Sequence, residues 1–425
     1  MNASSDFDIG IPSSAGGYTV AVRVFGGIFL AATVWFVYML MANPAAIPWD
    51  FLVVNYIYLL GISQFGVCFV AIMRLSGAKW SRPYHRLGEL VTMAYGPFAI
   101  LGFITIFYFG RHELYYWIGD TSDAHRSPFQ EENFLLWRNV IAQLVFYGLA
   151  KYHFLLGMIP DIRKGDSGKG SALQKLIYRP LEARIGKYDA VTIERKLYYL
   201  APVLLISAAV AQSFIAWDFG MMLVEHYHST VYPMYFMVGN MFAGAAALFV
   251  MLVVLARFVP MDSYFGVEQL RSMGIYLTGF SLLFVYFFWA QFFVSWYGNL
   301  QHEYGVISLQ MYGHYGSYFW TMLFFLIGVP ILSMIFAKVK RMRWSLTIVT
   351  SIILIGMWLN RYLMVIPGLK EGDSPFSSVP EVIVAILFFS GFLFVLFWAY
   401  RLFPMLSGWQ LRDEGAKPDS GIFDS

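Results

Sequence analysis

The chain has 425 residues, of which 59% are hydrophobic, 19% aromatic and only 13% charged, against about 25% charged in a soluble domain. So little charge cannot keep a water-facing surface around a chain this long, and the bilayer is the second apolar solvent it needs. A net charge of +3 implies no nucleic-acid partner, and a single cysteine, Cys68, excludes intrachain disulfides and the several thiolates of an iron–sulfur cluster.

Residues 1–19 are polar and lack Lys and Arg. The first apolar run is too long for a signal-peptide core and follows no basic segment, so it reads as a retained helix. Apolar stretches of about 20 residues then recur to give ten spans, near 20–42, 51–73, 88–109, 134–157, 198–222, 233–256, 272–297, 318–338, 345–366 and 381–404. A lipid-facing chain must satisfy its backbone internally, which makes all ten helical; the alternation of a β-barrel strand is absent.

Segment 20–157 thus holds spans one to four, and 198–404 holds spans five to ten. Between them, 158–197 is the only long basic loop, with a short amphipathic helix expected over Ala190–Tyr199, capped by Asp189. Residues 405–425 form the tail. The expected fold is all-α: a polytopic membrane protein with two four-helix bundles, spans two to five and six to nine, plus flanking helices. Tyr58, Gly61 and Gly66 echo Tyr235, Gly239 and Gly244. Small residues are common at membrane helix contacts, so the echo fits either a structural repeat or ordinary packing.

Lys and Arg set the orientation. The loops after spans two, four, six and eight, with the C-terminal end, hold 22 of the 29. The opposite loops hold three (Arg111, Arg126 and Lys370), and Arg23, Arg138, Lys151 and Arg361 lie within spans. The positive-inside rule places both termini and the basic loops in the cytoplasm.

Ionisable groups within spans are costly and therefore point to function. Arg138, Asp218 and Arg361 fall toward the outer face, with Asn240 and Gln291 at similar depth; Arg23, Glu89, Lys151 and His153 fall toward the inner face. Gln143 and Gln212 lie between. Two charged vestibules joined by a thin polar middle are what a proton path requires. On a purely structural reading, Arg138 and Asp218 pair to lock two helices, and Lys151 snorkels to the inner headgroups.

Of eight His, only His153 lies clearly within a span, whereas a transmembrane haem needs His on facing helices. No C-x-x-C-H occurs, and His226-x-His228 is a loop pair too weak to define a metal site, so none is assigned. No catalytic residue is assigned either: neither a phosphate-cradling Gly loop nor a nucleophile elbow is present. Trp80, Trp117, Trp137, Trp217, Trp289 and Trp296 lie near span ends, as an interfacial belt or as walls for a flat ring.

Several segments carry a resemblance: Gly77–Leu90 after span two, Ile159-Pro160-Asp161, Met357–Arg361, Gln291–Asn299, and above all Asp218–Tyr235 with His228-Ser229-Thr230 before Pro233. They resemble the NrfD-like, or polysulfide reductase-like, membrane proteins. The nearest likeness is to ActC and ActF, the large membrane subunits of alternative complex III. The resemblance implies a ten-helix subunit with no redox centre of its own in a bacterial inner-membrane quinol:cytochrome c (or similar) oxidoreductase. Its partners would be iron–sulfur and multihaem cytochrome subunits and a second NrfD-like membrane subunit; quinone or quinol is the small molecule implied. Its proton path would draw on Asp218, Arg138, Arg361, Asn240, Gln143, His153, Lys151 and Glu89.

The quinol-binding member carries a His and an Asp where this chain has Tyr108, before Phe109-Gly110-Arg111, and Arg138, after Trp137. Arg138-Asn139 is similar to ActF. A quinone pocket would therefore rest on Tyr108, Trp137, Asp218 and His228, and a scaffolding, proton-conducting role is favoured. A secondary transporter is the alternative of another class, with Gly96-Pro97 as its candidate helix break.

Overall fold

The computed structural model describes residues 16–118, 128–162, 172–186, 189–225, 227–256, 266–298, 301–370 and 374–412. His226 therefore lies outside the described residues, as do Arg126, Asn299 and most of both termini. Among the described residues ten helices are long and apolar enough to cross a membrane. They are α1 Tyr18–Ala42, α2 Trp49–Leu75, α3 Lys79–Leu114, α4 Glu132–Asp161, α5 Ala190–Met221, α6 Tyr232–Leu255, α7 Val267–Gly298, α8 Gly316–Met334, α9 Arg343–Leu369 and α10 Val379–Leu402. No strand occurs among the described residues. The chain is an all-α polytopic membrane protein.

Two boundaries differ most from the sequence expectation. Helix α3 begins at Lys79 rather than near residue 88, because its charged first turns are buried. Arg86 is 1% exposed and Glu89 4%, and the two pair at 3.0 Å. The helix over Ala190–Tyr199 is capped by Asp189, which accepts from the Thr192 N–H at 3.2 Å. It does not stop at Tyr199 but runs unbroken to Ala216 as the first turns of α5. Glu194 on that extension pairs with buried Arg74 of α2, so the basic ends of both helices are carried past the apolar run by an ion pair.

In the first bundle α2 packs on α3 and α5, and α4 closes the ring between them; α6, α7, α8 and α9 close a second ring in the same order. The bundles meet along α2, α6 and α9. Helix α2 is at the centre of the molecule, with all but two of its residues buried. Helix α10 leans on α2 and α3 and carries α1 on its far side, held by ring contacts such as Phe25–Phe397. The outer faces are apolar, with Leu30, Met41, Ile206 and Trp289 more than half exposed, as suits lipid contact.

Glycines set how closely the helices approach. A β-carbon on Gly66 would lie 2.3 Å from the Gly88 carbonyl oxygen, so α2 and α3 touch backbone to backbone. One on Gly61 would strike Asn240, and one on Gly244 would strike Phe65. Gly61 and Gly244 thus open the seam between bundles from opposite sides, whereas Gly66 serves the first bundle alone. The echoed glycines do not make matched contacts.

Among the described residues three helices contain a five-residue π segment: Ile106–Gly110 in α3, Trp217–Met221 in α5 and Phe324–Gly328 in α8. Such segments are frequent at functional sites; the one in α5 contains Asp218. Beyond α10, residues 405–412 strap across the basic end of the first bundle. Gln410 Oε1 lies 3.0 Å from His85 Nδ1, and Arg82 donates to the Gln410 carbonyl at 3.0 Å.

Candidate functional site

The inward face of α4 carries Asn139, Gln143, Tyr147 and His153, spaced to recur on one side of a helix. Each meets a polar partner from another helix of the first bundle, and together they form a column in three layers.

At the end opposite the basic loops, Asp218 is wholly buried. Arg138 grips it through two nitrogens, Nε at 3.1 Å and Nη2. Asn139 Nδ2 donates to the same carboxylate. The guanidinium also stacks on Phe129, 3.7 Å from the ring centroid. A bidentate guanidinium–carboxylate pair with a third donor is the arrangement that makes a buried ion pair tolerable.

The middle layer is neutral. Gln64 of α2 donates to Gln143 Oε1 at 2.8 Å, and Ser63 lies 3.0 Å from the Tyr147 hydroxyl. Thr92 of α3 bonds the Ser63 carbonyl at 2.6 Å. Gln64 Oε1, Gln143 Nε2 and Asn139 Oδ1 are buried with no partner among the described residues. Buried polar atoms in this condition call for water.

The layer at the basic end is charged. His153 Nδ1 lies 2.9 Å from Glu89 Oε1. Arg86 reaches Glu89 Oε2 at 3.0 Å, Asp161 Oδ2 at 2.8 Å and the Gly157 carbonyl at 3.0 Å. Asp161 accepts from Ser407 Oγ and the Trp409 N–H, which ties the strap to this cluster. From Tyr147 to His153 is six residues, about 9 Å along the helix. A carboxylate beside an imidazole can hold and release a proton, and hydroxyls and amides can relay it through water.

The second bundle places Arg361 of α9 at its centre, 1% exposed. Its partners are Asn240 Oδ1 at 2.9 Å, Asn360 Oδ1 at 3.3 Å, the Phe236 carbonyl at 3.1 Å and Met364 Sδ at 2.8 Å, and its guanidinium lies 4.1 Å from the Phe236 ring centroid. Among the described residues no carboxylate pairs with it. Asn240 also donates to Gln212 of α5 at 3.2 Å. Beside this group is a cavity of about 30 Å³, lined by Tyr227, Tyr232, Tyr235, Gln291, Gln310 and Asn360 together with apolar side chains. That volume holds about two waters, far less than a quinone ring.

The residues singled out in the sequence therefore divide. Asp218, Arg138, Gln143, Glu89 and His153 share the first-bundle column, and Arg361 and Asn240 lie together in the second bundle. Arg23 and Lys151 face the perimeter. Tyr108, 57% exposed, and Trp137, 58% exposed, point out of the bundle, and His228 is exposed; the structure does not gather these three with buried Asp218 into one pocket. Gln64, Ser63 and Tyr147 belong to the column without having been singled out, and Asp161, noted in the sequence only within Ile159-Pro160-Asp161, joins it as a partner of Arg86. The Asn139–Gln143–Tyr147 spacing of four was the available signal.

Residues 39–371 match the family described as Polysulphide reductase, NrfD. The chain belongs to the NrfD family. No curated protein matches it. Membership makes this ten-helix chain a membrane subunit of a redox complex, with the column and the buried Arg361 both inside the matched stretch.

Proposed function

We propose that this NrfD-family chain is the proton-conducting and scaffolding membrane subunit of a respiratory quinol oxidoreductase of the alternative complex III type. Electrons pass through iron–sulfur and multihaem cytochrome partners, with a second NrfD-like subunit beside this chain in a bacterial inner membrane. The chain itself binds no redox centre. The basic ends of the helices face the cytoplasm, following the Lys and Arg asymmetry.

The single observation that carries this reading is the three-layer column through α2–α5. It pairs a titratable cluster, Glu89 with His153, and a neutral amide and hydroxyl middle with a buried carboxylate at the far end. Polar groups at this density are expensive within a bilayer and are found where ions or protons pass. A quinol site in this chain has less support, because Tyr108 and Trp137 face outward. A transporter has less as well, since α3 continues as helix through Pro97.

The test uses the intact complex in liposomes, measuring quinol oxidation and proton release together. Gln143→Leu and His153→Gln should leave assembly and quinol oxidation close to the parent while proton release falls severalfold. Lys151→Ala, on the perimeter, should change neither. Parent-level proton release in both column variants would reject the reading.

A further inference from the structure

The lining of the second-bundle cavity offers more open hydrogen-bond donors than open acceptors. Asn360 Oδ1 is taken by Arg361 Nη1, and Gln291 Oε1 by Ser229 Oγ. Of the lining side-chain amides, only Gln310 keeps an acceptor without a partner among the described residues, since its Nε2 donates to the Leu363 carbonyl at 2.7 Å.

Donors remain in surplus. Tyr235 accepts from Asn360 Nδ2, which leaves its own O–H to donate elsewhere. The Tyr232 hydroxyl has no hydrogen-bond partner among the described residues; it stands over Gly220, where a β-carbon would lie 2.4 Å from it. Gln291 and Gln310 each place one amide hydrogen on a partner and keep a second.

Behind this wall Arg361 is fully buried, and its charge reaches the lining through Asn360 and Met364. A guanidinium removed from water without a counter-charge is among the costliest groups a membrane protein carries. A cation is repelled here, and an organic anion or a quinone ring does not fit about 30 Å³. A single small monovalent anion satisfies the charge, the donor surplus and the volume together.

We propose that the second bundle holds one small inorganic anion, of the halide class, in the cavity between Tyr232, Tyr235 and Asn360, as counter-ion to Arg361. The site is independent of the proton column in α2–α5.

Equilibrium binding of radiolabelled chloride to the complex, with gluconate replacing it at constant ionic strength, tests the proposal. The expected result is one saturable site per copy of this chain. Tyr232→Phe removes one donor and no hydrogen bond made among the described residues, so it should preserve the fold. It should weaken binding about tenfold or more, the effect of losing one hydrogen bond to a charged partner; Arg361→Met should abolish the saturable site. Absence of saturable chloride binding, or binding that Tyr232→Phe leaves unchanged, overturns the proposal.

Discussion

The two bundles have the same architecture and the same central problem, a buried arginine, and they handle it differently. In the first, Arg138 meets Asp218, and the pair heads a chain of polar contacts that continues to Glu89 and His153 at the other end. In the second, Arg361 meets, among the described residues, only amides, a carbonyl, a thioether and a ring. An ion pair is locally neutral, so other titratable groups can share its bundle without a large field acting on them. A guanidinium with no carboxylate beside it imposes a positive potential on everything nearby, which suits anions and opposes protons. The column and the lone arginine are therefore alternatives, and each bundle has one of them.

The largest effect should come from breaking the first pair. Asp218→Asn or Arg138→Met leaves an orphaned charge in a buried, low-dielectric place, at a cost of about 3–5 kcal/mol. Detergent-stable assembly should fall sharply in either single variant. The double variant Arg138→Met, Asp218→Leu removes both charges and should recover most of the loss, because a well-packed apolar replacement of a buried pair is often neutral. A double variant as poor as the singles would show that the pair matters for something other than its mutual charge.

Next in size is the α2–α3 contact that gives the first bundle its tight core. Gly66→Ala places a methyl group against the Gly88 carbonyl oxygen, and backbone cannot swing aside as a side chain does. Overpacking of this kind costs roughly 1–3 kcal/mol. Gly239→Ala in the second bundle instead meets Arg361 Nη2 at 2.7 Å, the tip of a long side chain. It should cost less stability in thermal unfolding and should displace the guanidinium from Asn240. Equal losses in the two variants would mean that the bundles are equally unyielding.

Arg361→Met should be milder than Arg138→Met. Among the described residues no carboxylate is stranded, and the groups left behind are neutral amides and a carbonyl, so the loss is about 1–2 kcal/mol of hydrogen bonding. If Arg361→Met proves as disruptive as Arg138→Met in the same unfolding measurement, the second bundle hides an acidic partner for Arg361.

Much of this was legible in the sequence. Ten apolar runs give ten helices, and the division into spans two to five and six to nine matches the two closed rings, because hydropathy and loop length report directly on membrane crossing. Arg138 and Asp218 were legible as a pair from their matched depth. Helix ends were less so: Arg86 and Arg74 look like loop charges, and only the structure shows Asp161 and Glu194 waiting for them. Side-chain direction was the least accessible. Lys151 and His153 are two residues apart and project from different faces of α4, so one reaches the column and the other the perimeter. Gln64 was invisible for the opposite reason, since α2 is buried all round and its apolar pattern marks no preferred face.

The smallest expected effect lies at the edge of the comparison, where the long basic connection joins the first bundle. Asp189 begins α5 by accepting the Thr192 N–H, and that hydrogen bond holds its carboxyl below the usual range. A depressed native value means that the cap contributes above the unfolded value, about 3.9, and loses its contribution as pH falls through the lower native value. From pH 5 to 8 the cap should therefore be constant. Asp189→Asn keeps an acceptor oxygen and should behave like the parent at neutral pH, without the loss at low pH; Asp189→Ala should fray the first turn at every pH. Because the carboxylate is exposed and the helix is anchored further along by Leu197 and Ala201, the global transition should barely move. The sensitive measurement is amide exchange over Val191–Ile193, which should quicken in Asp189→Ala while exchange in the column helix α4 stays as in the parent. Faster exchange in α4 as well would mean that the cap helps hold the first bundle together, and that the column reaches further into the connection than its hydrogen bonds indicate.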